Sequence, residues 1–194
     1  MNDFFTQQII LENDRAKLEP LSEAHYPLLW AVAKHKELWQ FNSAKVHTEE
    51  DFKKYFYQAL SERKSCSSYP FAIFDKQENK YGGSARLGNI SFEHKRVEIG
   101  WTWYLPQLQR TGLNRACKFL LLRGFESLGL NRIELKTALT NEKSQLAIAK
   151  IGATREEVLR KHIINDDGTS GDSVLYSILN EEWPAIKQKI FATF

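Results

Sequence analysis

The stretch from Val97 to Arg115 constrains this chain more than any other. Val97, Ile99, Trp101 and Trp103 alternate with Glu98, Gly100, Thr102 and Tyr104, the period of two expected of a half-buried strand. Pro106 lacks a backbone donor and ends that strand after Leu105. From about Leu113 the period changes: Leu113, Cys117, Leu120, Gly124 and Leu128 share one face of a helix, and Gly129 is placed to stop it. Between the two lies the loop Gln107-Leu-Gln-Arg-Thr-Gly-Leu-Asn-Arg115. Gly112 lets its backbone approach a ligand closely, and the first helical turn offers unbonded N–H groups to an anion. Such a strand, glycine turn and helix start suit a phosphorylated cofactor; an ordinary strand-to-helix connection uses the same parts.

The loop has neither the lysine-serine pair of a nucleotide-triphosphate loop nor a three-glycine dinucleotide fingerprint. With 194 residues, 42% of them hydrophobic, the chain can bury a core without disulfides or metal, and it reads as one domain over 1–194. A net charge of +3, from 27 basic and 24 acidic residues, is too balanced for a dedicated nucleic-acid binder. Cys66 and Cys117 stand far apart without Cys-x-x-Cys spacing, which favours reduced thiols, Cys117 in a helix core and Cys66 in a loop. Asn13-Asp-Arg15 interrupts the apolar run Ile9-Ile-Leu11, so neither a signal peptide nor a membrane span is expected, and the expected location is cytoplasmic.

Patterning predicts short strands at Ile9–Glu12 and Ala16–Glu19, then a helix from an N-cap at Ser22 to about Lys34. Thr48-Glu-Glu-Asp51 starts a second helix that buries Phe52, Tyr55, Phe56, Ala59 and Leu60, and Arg63–Ser68 is a polar loop. Strands follow at Phe71–Asp75 and Tyr81–Ile90, with Phe92–Arg96 leading into the aromatic strand. Beyond Gly129 come a strand at Arg132–Thr137, a short helix at Ser144–Ile151, strands at Arg155–Ile163 and Ser173–Leu179, and a helix starting near Asn180. Asn165-Asp-Asp-Gly168 reads as a tight turn rather than a metal site.

The pattern Gln109-x-x-Gly112-x-Asn114, flanked by Arg110 and Arg115, resembles the pyrophosphate loop of the GNAT superfamily of acyl-CoA-dependent N-acetyltransferases. Asn114 and Arg115 depart from it, standing where the family often has small or acidic residues. Arg15-Ala-Lys-Leu-Glu-Pro-Leu21, Glu98-Ile-Gly-Trp101, Leu128-Gly-Leu-Asn-Arg-Ile-Glu-Leu135 and Asn141-x-x-Ser144 are similar to the ribosomal-protein N-terminal acetyltransferase branch, in order and spacing. The resemblance implies an α/β (α+β) fold: a mixed, mostly antiparallel central sheet with a splayed parallel strand pair and helices on both faces. It also implies acetyl-CoA as cosubstrate without a metal, transfer to a primary amine by direct attack on the thioester, and a monomer or homodimer. The acceptor would be a protein N-terminus or a small molecule, and fold alone does not choose.

By the same resemblance, the backbone of Thr102, Trp103 and Tyr104 would pair with the pantetheine arm, the side chains of Trp103 and Tyr104 being core aromatics. The segment Gln109, Arg110, Thr111, Gly112, Leu113, Asn114 and Arg115 would cap the pyrophosphate, with Arg110, Arg115 and Lys118 as candidates for the outer phosphate. Glu98 is the first candidate base; its alternative is a salt bridge to Arg86 or Arg96. His162 is the second, having a near-neutral intrinsic pKa. Ile148 occupies the place where many family members carry a proton-donating tyrosine. Ser144 is then the candidate donor to the leaving thiolate and Asn141 a holder of the pantetheine amide, unless either simply caps the helix. The acceptor wall would come from Trp30–Val46 and Lys161–Ser173. Two further readings are a non-catalytic acyl-CoA-binding domain and an interaction module exposing Trp30, Trp39 and Phe41.

Overall fold

The structure is a computed structural model that describes residues 3–42, 44–165 and 168–194. Its strands are β1 (Leu11–Glu12), β2 (Ala16–Pro20), β3 (Ser68–Asp75), β4 (Lys80–Ser91), β5 (Arg96–Tyr104), β6 (Arg132–Ala138), β7 (Thr154–Ile164) and β8 (Ser170–Leu179). The helices are α1 (Asp3–Thr6), α2 (Tyr26–Ala33), α3 (Glu49–Lys64), α4 (Leu113–Leu122), α5 (Gly124–Leu128), α6 (Glu142–Ala149) and α7 (Trp183–Ile190). The strands form one sheet in the order β1-β2-β3-β4-β5-β6-β8-β7. Neighbours are antiparallel except β5 and β6, which run parallel and are joined by the α4–α5 crossover. This is the mixed, mostly antiparallel α+β fold that the resemblance implies.

The sheet carries a core on each face. On one face Val97, Ile99, Ile133, Leu135 and Ile178 pack with Leu113, Leu120, Phe125 and Trp183. On the other, α2 and α3 lay Leu29, Phe52 and Phe56 onto Ala72 and Trp103. Full burial of a side chain such as Phe52 contributes about 1.5–3 kcal/mol. The capping box expected at Thr48 holds α3 in place: Asp51 N donates to Thr48 Oγ1 (3.2 Å) and Thr48 N to Asp51 Oδ2 (2.9 Å).

Several expectations change in the structure. The aromatic strand does not alternate to its end. Opposite β4, Ser84 pairs with Trp103 and Arg86 with Gly100, so Trp101 and Thr102 together face Ala85 alone. This β-bulge reverses the facing of the residues after it, and Trp103 joins the α2–α3 core instead of sharing a face with Val97 and Ile99. The helix expected from Leu113 to Leu128 breaks at Arg123, where Gly124, a poor helix former, stands at the joint, and Leu128 is exposed. The helix expected at Ser144 begins at Glu142 because Asn141 caps it. Strand β3 starts at Ser68, inside the stretch expected to be loop. Trp39 is 1% exposed and packs edge-on to Tyr55, which removes the expected aromatic surface of Trp30, Trp39 and Phe41. Asp166 and Asp167 of the expected turn, and Ser43 of the expected acceptor wall, lie outside the described residues. Gly168 N does donate to Asn165 O (2.9 Å).

Gly83 marks the tightest backbone approach in the sheet: a Cβ there would stand 2.1 Å from the Trp103 carbonyl oxygen. Backbone cannot yield as a side chain can. Gly83→Ala is therefore expected to destabilise the protein by about 1–3 kcal/mol, read as a melting temperature lowered by roughly 3–10 °C.

Candidate active site

The site is a fork in the sheet. Parallel pairing of β5 with β6 covers only Arg96–Arg132, Val97–Ile133 and Glu98–Glu134, while β5 continues to Tyr104 and β6 to Ala138. Beyond Glu98 the β6-facing edge of β5 is therefore unpaired. The bulge bends β5 at this point. Trp101 sits at its corner with φ +50, a left-handed conformation that costs a bulky residue about 1–2 kcal/mol. Its ring lies over Gly88, on the same face as Glu98.

Glu98 is 6% exposed at the base of the fork. Its Oε2 accepts from Asn89 Nδ2 (2.6 Å) and pairs with Lys136 Nζ (2.9 Å). The ion pair considered from sequence is thus formed, with a different partner. Arg86 is committed to Glu62 (2.8 Å) and stacked over Tyr55, and Arg96 lies 3.8 Å from Glu134. Glu98, Glu134 and Lys136 share one sheet face because paired residues and residues two apart point the same way.

On the opposite face, Lys118 of α4 reaches the bulge and donates from Nζ to Thr102 Oγ1 (3.1 Å). Burial lowers its pKa to about 8. Burial also pushes the neighbouring Cys117 thiol up to about 12 and the Tyr104 hydroxyl well above its usual range. Trp103 and Tyr104 are buried, as expected of core aromatics, and Trp103 Nε1 donates to Tyr55 Oη (3.2 Å).

The loop leaves β5 through Gln109, whose Nε2 donates to Tyr104 O (3.2 Å). Gly112 has φ +92, and Ala116 N to Gly112 O (3.0 Å) is the first bond of α4, so the preceding amides face outward as at any helix start. Thr111 Oγ1 donates to Leu108 O (2.7 Å) and accepts from Arg15 Nη2 (3.1 Å), and Arg15 is ion-paired with the fully buried Asp75. The side chains of the loop diverge. Leu113 is core, and Arg115 is held by Ile190 O and lies over Phe191 and Phe194. Lys118 points inward and the exposed Arg115 is engaged at Ile190, which leaves the exposed Arg110 as the candidate for phosphate among the three.

Asn141 caps α6, its Oδ1 accepting from Ser144 N (3.1 Å). The cap is thus the Asn141 side chain, and Ser144 contributes only its backbone. Among the described residues the half-buried Ser144 hydroxyl makes no hydrogen bond. His162 is exposed on the edge strand β7, with Nδ1 2.9 Å from Ser173 Oγ. The register puts Ser173 two strands across and four residues along from Glu98, roughly 10 Å and 13 Å, so the two candidate bases are not brought together. Sequence reading missed Arg15, Asp75, Asn89 and Lys136. Only Lys136 left a signal, as the polar alternate of an apolar strand.

An open fork beside a glycine-turned helix start is the architecture of an acyl-transferring domain. Residues 15–154 match the family described as the Acetyltransferase (GNAT) domain, and the chain belongs to this family of N-acetyltransferases. The family implies acetyl-CoA as donor and an amine as acceptor. Among curated proteins, YdaF of Bacillus subtilis, provisionally named a ribosomal N-acetyltransferase, is 33% identical over 106 residues, 54% of this chain and 57% of YdaF. The matched segment thus spans a little over half of that relative. YoaA of the same organism, an uncharacterized N-acetyltransferase, is 26% identical over 181 residues, 88% of this chain and 96% of YoaA. A crystal structure of a GCN5-related N-acetyltransferase from Brucella melitensis superimposes with a TM-score of 0.88 at 27% identity, covering 96% of this chain and 85% of that one. Among the described residues no helix is long and apolar enough to cross a membrane, and no three His, Cys, Asp or Glu side chains cluster as a metal site.

The cap assignment separates two substitutions three residues apart. Asn141→Ala is expected to cost about 1 kcal/mol and lower the melting temperature by roughly 2–4 °C, whereas Ser144→Ala leaves it within a degree or so. Parallel thermal melts of the two variants check this.

Proposed function

We propose that the chain transfers the acetyl group of acetyl-CoA to the α-amino group of a protein N-terminus, with Glu98 as base. The observation that carries this reading is the fork. A strand edge left unpaired beyond Glu98 accepts the amide-bearing arm of the cofactor along Thr102, Trp103 and Tyr104, and it leads directly to the outward-facing amides from Arg110 to Arg115. Those amides, with the positive end of α4, hold the pyrophosphate, and Arg110 serves the outer phosphate. Asn141 keeps its Nδ2 free of the cap for a pantetheine carbonyl. The donor supplies an activated thioester.

Both partners of Glu98 engage Oε2, which leaves Oε1 to take a proton from the attacking amine, directly or through water. Lys136 and Asn89 hold the carboxylate at the fork. An α-amino group, with an unperturbed pKa of about 7.7–8.0, is roughly one-tenth neutral at pH 7, against less than a thousandth for a lysine near 10.4. A single carboxylate base therefore suits an N-terminus, in keeping with the ribosomal activity in the name of YdaF. Trp101 on Gly88, beside Glu98, forms the wall against which the first acceptor residue packs. Ser144 donates a hydrogen bond to the departing sulfur.

Gly112→Val is expected to weaken acetyl-CoA binding by at least tenfold, because a β-branched residue resists φ near +90 and its side chain intrudes on the anion. Open space around position 112 keeps the fold intact. Calorimetry finding equal affinity would move the pyrophosphate elsewhere. Glu98→Gln is expected to reduce turnover of peptide N-termini by roughly 10²-fold or more with acetyl-CoA affinity little changed. A small loss there, beside near-abolition in His162→Ala, would transfer the role to His162.

A further inference from the structure

We infer that Lys118 is a catalytic residue of this reaction, the ammonium that protonates the departing thiolate. The inference rests on the reading of the fork as the acetyl-CoA site. Lys118 is 6% exposed, on a helix whose other inward residues, Leu113, Ala116, Cys117, Leu120 and Leu121, are apolar. Burying an ammonium is costly unless it is paired, and among the described residues no carboxylate lies within ion-pair distance of it. Its partner is the Thr102 hydroxyl, which itself sits on the bulge at the unpaired edge of β5. A lysine serving only stability would be replaced to advantage by a leucine or methionine of similar volume. The fork gives the charge a purpose, since a ligand arm lying along the edge at Thr102 passes within reach of Nζ.

The groups around Nζ leave it able to give up a proton. Cys117 beside it on α4 and Tyr104 on β5 are both uncharged at neutral pH, and Glu98 with Lys136 lies on the far face of the sheet. Burial brings the ammonium down to about 8, whereas an unperturbed lysine near 10.4 would release its proton far less readily. Ser144 can share a hydrogen bond with sulfur but does not lose its hydroxyl proton. In the step, the neutral amine nitrogen forms a bond to the acetyl carbon, and the carbon–sulfur bond breaks with its electron pair staying on sulfur. Nζ passes one proton to sulfur, Glu98 takes one from nitrogen, and both groups re-equilibrate with water. The missing tyrosine at Ile148 is thereby replaced from the other wall of the fork.

The test begins with CoA itself, whose free thiol reports on the charge beside it without any acceptor. Calorimetry first establishes that CoA binds; absence of binding overturns the parent reading, and this inference with it. The bound thiol is then titrated by the ultraviolet absorbance of its thiolate. It is expected to ionise about one to two pH units lower in the wild-type protein than in Lys118→Met. Single-turnover transfer is expected to slow by roughly 10- to 100-fold in Lys118→Met, and Lys118→Arg, which keeps the charge but not a transferable proton, should restore the thiol shift without the rate. Full rate in Lys118→Arg, or an unshifted thiol in Lys118→Met, overturns the assignment, as does acetylated Lys118 found by peptide mass spectrometry. The unmodified protein offers the reciprocal reading should Lys118→Met fail to fold. The ε-nitrogen resonance of Lys118 is expected to titrate at higher pH with CoA than with desulfo-CoA, and equal titration in both complexes counts against the donor role.

Discussion

Three residue pairs hold the two halves of this sheet together. Arg96, Val97 and Glu98 meet Arg132, Ile133 and Glu134 in parallel, and everything to either side is antiparallel. The seam is reinforced at its lower end, where Lys95 O accepts from Asn131 N (2.7 Å) and Asn180 N donates to Asn131 O (2.9 Å). Its centre is dry, with Val97 and Ile133 almost completely buried. Charges cross it on the other face, Arg96 to Glu134 and Lys136 to Glu98. A longer seam would add hydrogen bonds to the sheet and consume the edge of β5 that leads to the loop. The bulge at Trp101 is what prevents this, and its left-handed residue is strain held in place by cores on both faces.

The parts of this arrangement that depend on periodicity were legible in the residues, and the parts that depend on register were not. Alternation marked β5 and β6, the change of period at Gly112 marked α4, and Gly129 marked the end of α5. Motif spacing carried the loop and the parallel pair. An extra residue in a strand leaves no trace in composition, because Trp101 and Thr102 are both good strand formers. The facing of Trp101 and Trp103 was therefore misjudged, and with it the wall beside Glu98. The partner of Glu98 was misjudged for a related reason. Arg86 and Arg96 are near it in sequence or obvious by charge, whereas Lys136 is brought there from beyond the crossover that joins β5 to β6. Asn141 and Ser144 were equal candidates for the cap until geometry chose the asparagine.

Buried polar side chains connect the loop to the rest of the fold. Arg15, in the turn just before β2, and Asp75 on β3 form an ion pair, and the same guanidinium reaches Thr111. A residue at the far side of the sheet thus braces the loop that the helix start leaves open. Removing one member of such a pair is more damaging than the pair is stabilising, because the survivor remains buried and charged. Arg86 and Glu62 make the corresponding brace on the α3 side, where Ser68 also donates to Glu62 (2.8 Å). Among the described residues Arg15 Nε, Asp75 Oδ2, Arg86 Nε and Tyr104 Oη are buried without hydrogen-bond partners.

The two charges proposed to move protons are divided by the sheet itself. Glu98 points to the face covered by α3, with Lys136 and Asn89, and Lys118 approaches from the α4 side through Thr102. An acid and a base within contact of one another would form an ion pair that holds both in their charged forms, so that the acid gives up its proton and the base takes one less readily. Here β5 stands between them, and in the proposed reaction the fork beyond Glu98 is where both would meet one ligand. Placing the amine on the Glu98 side and the sulfur on the Lys118 side follows from that division. In the proposed reaction one proton would leave nitrogen on one face of the strand and another would reach sulfur on the other, so that neither group would have to serve both ends of the reaction.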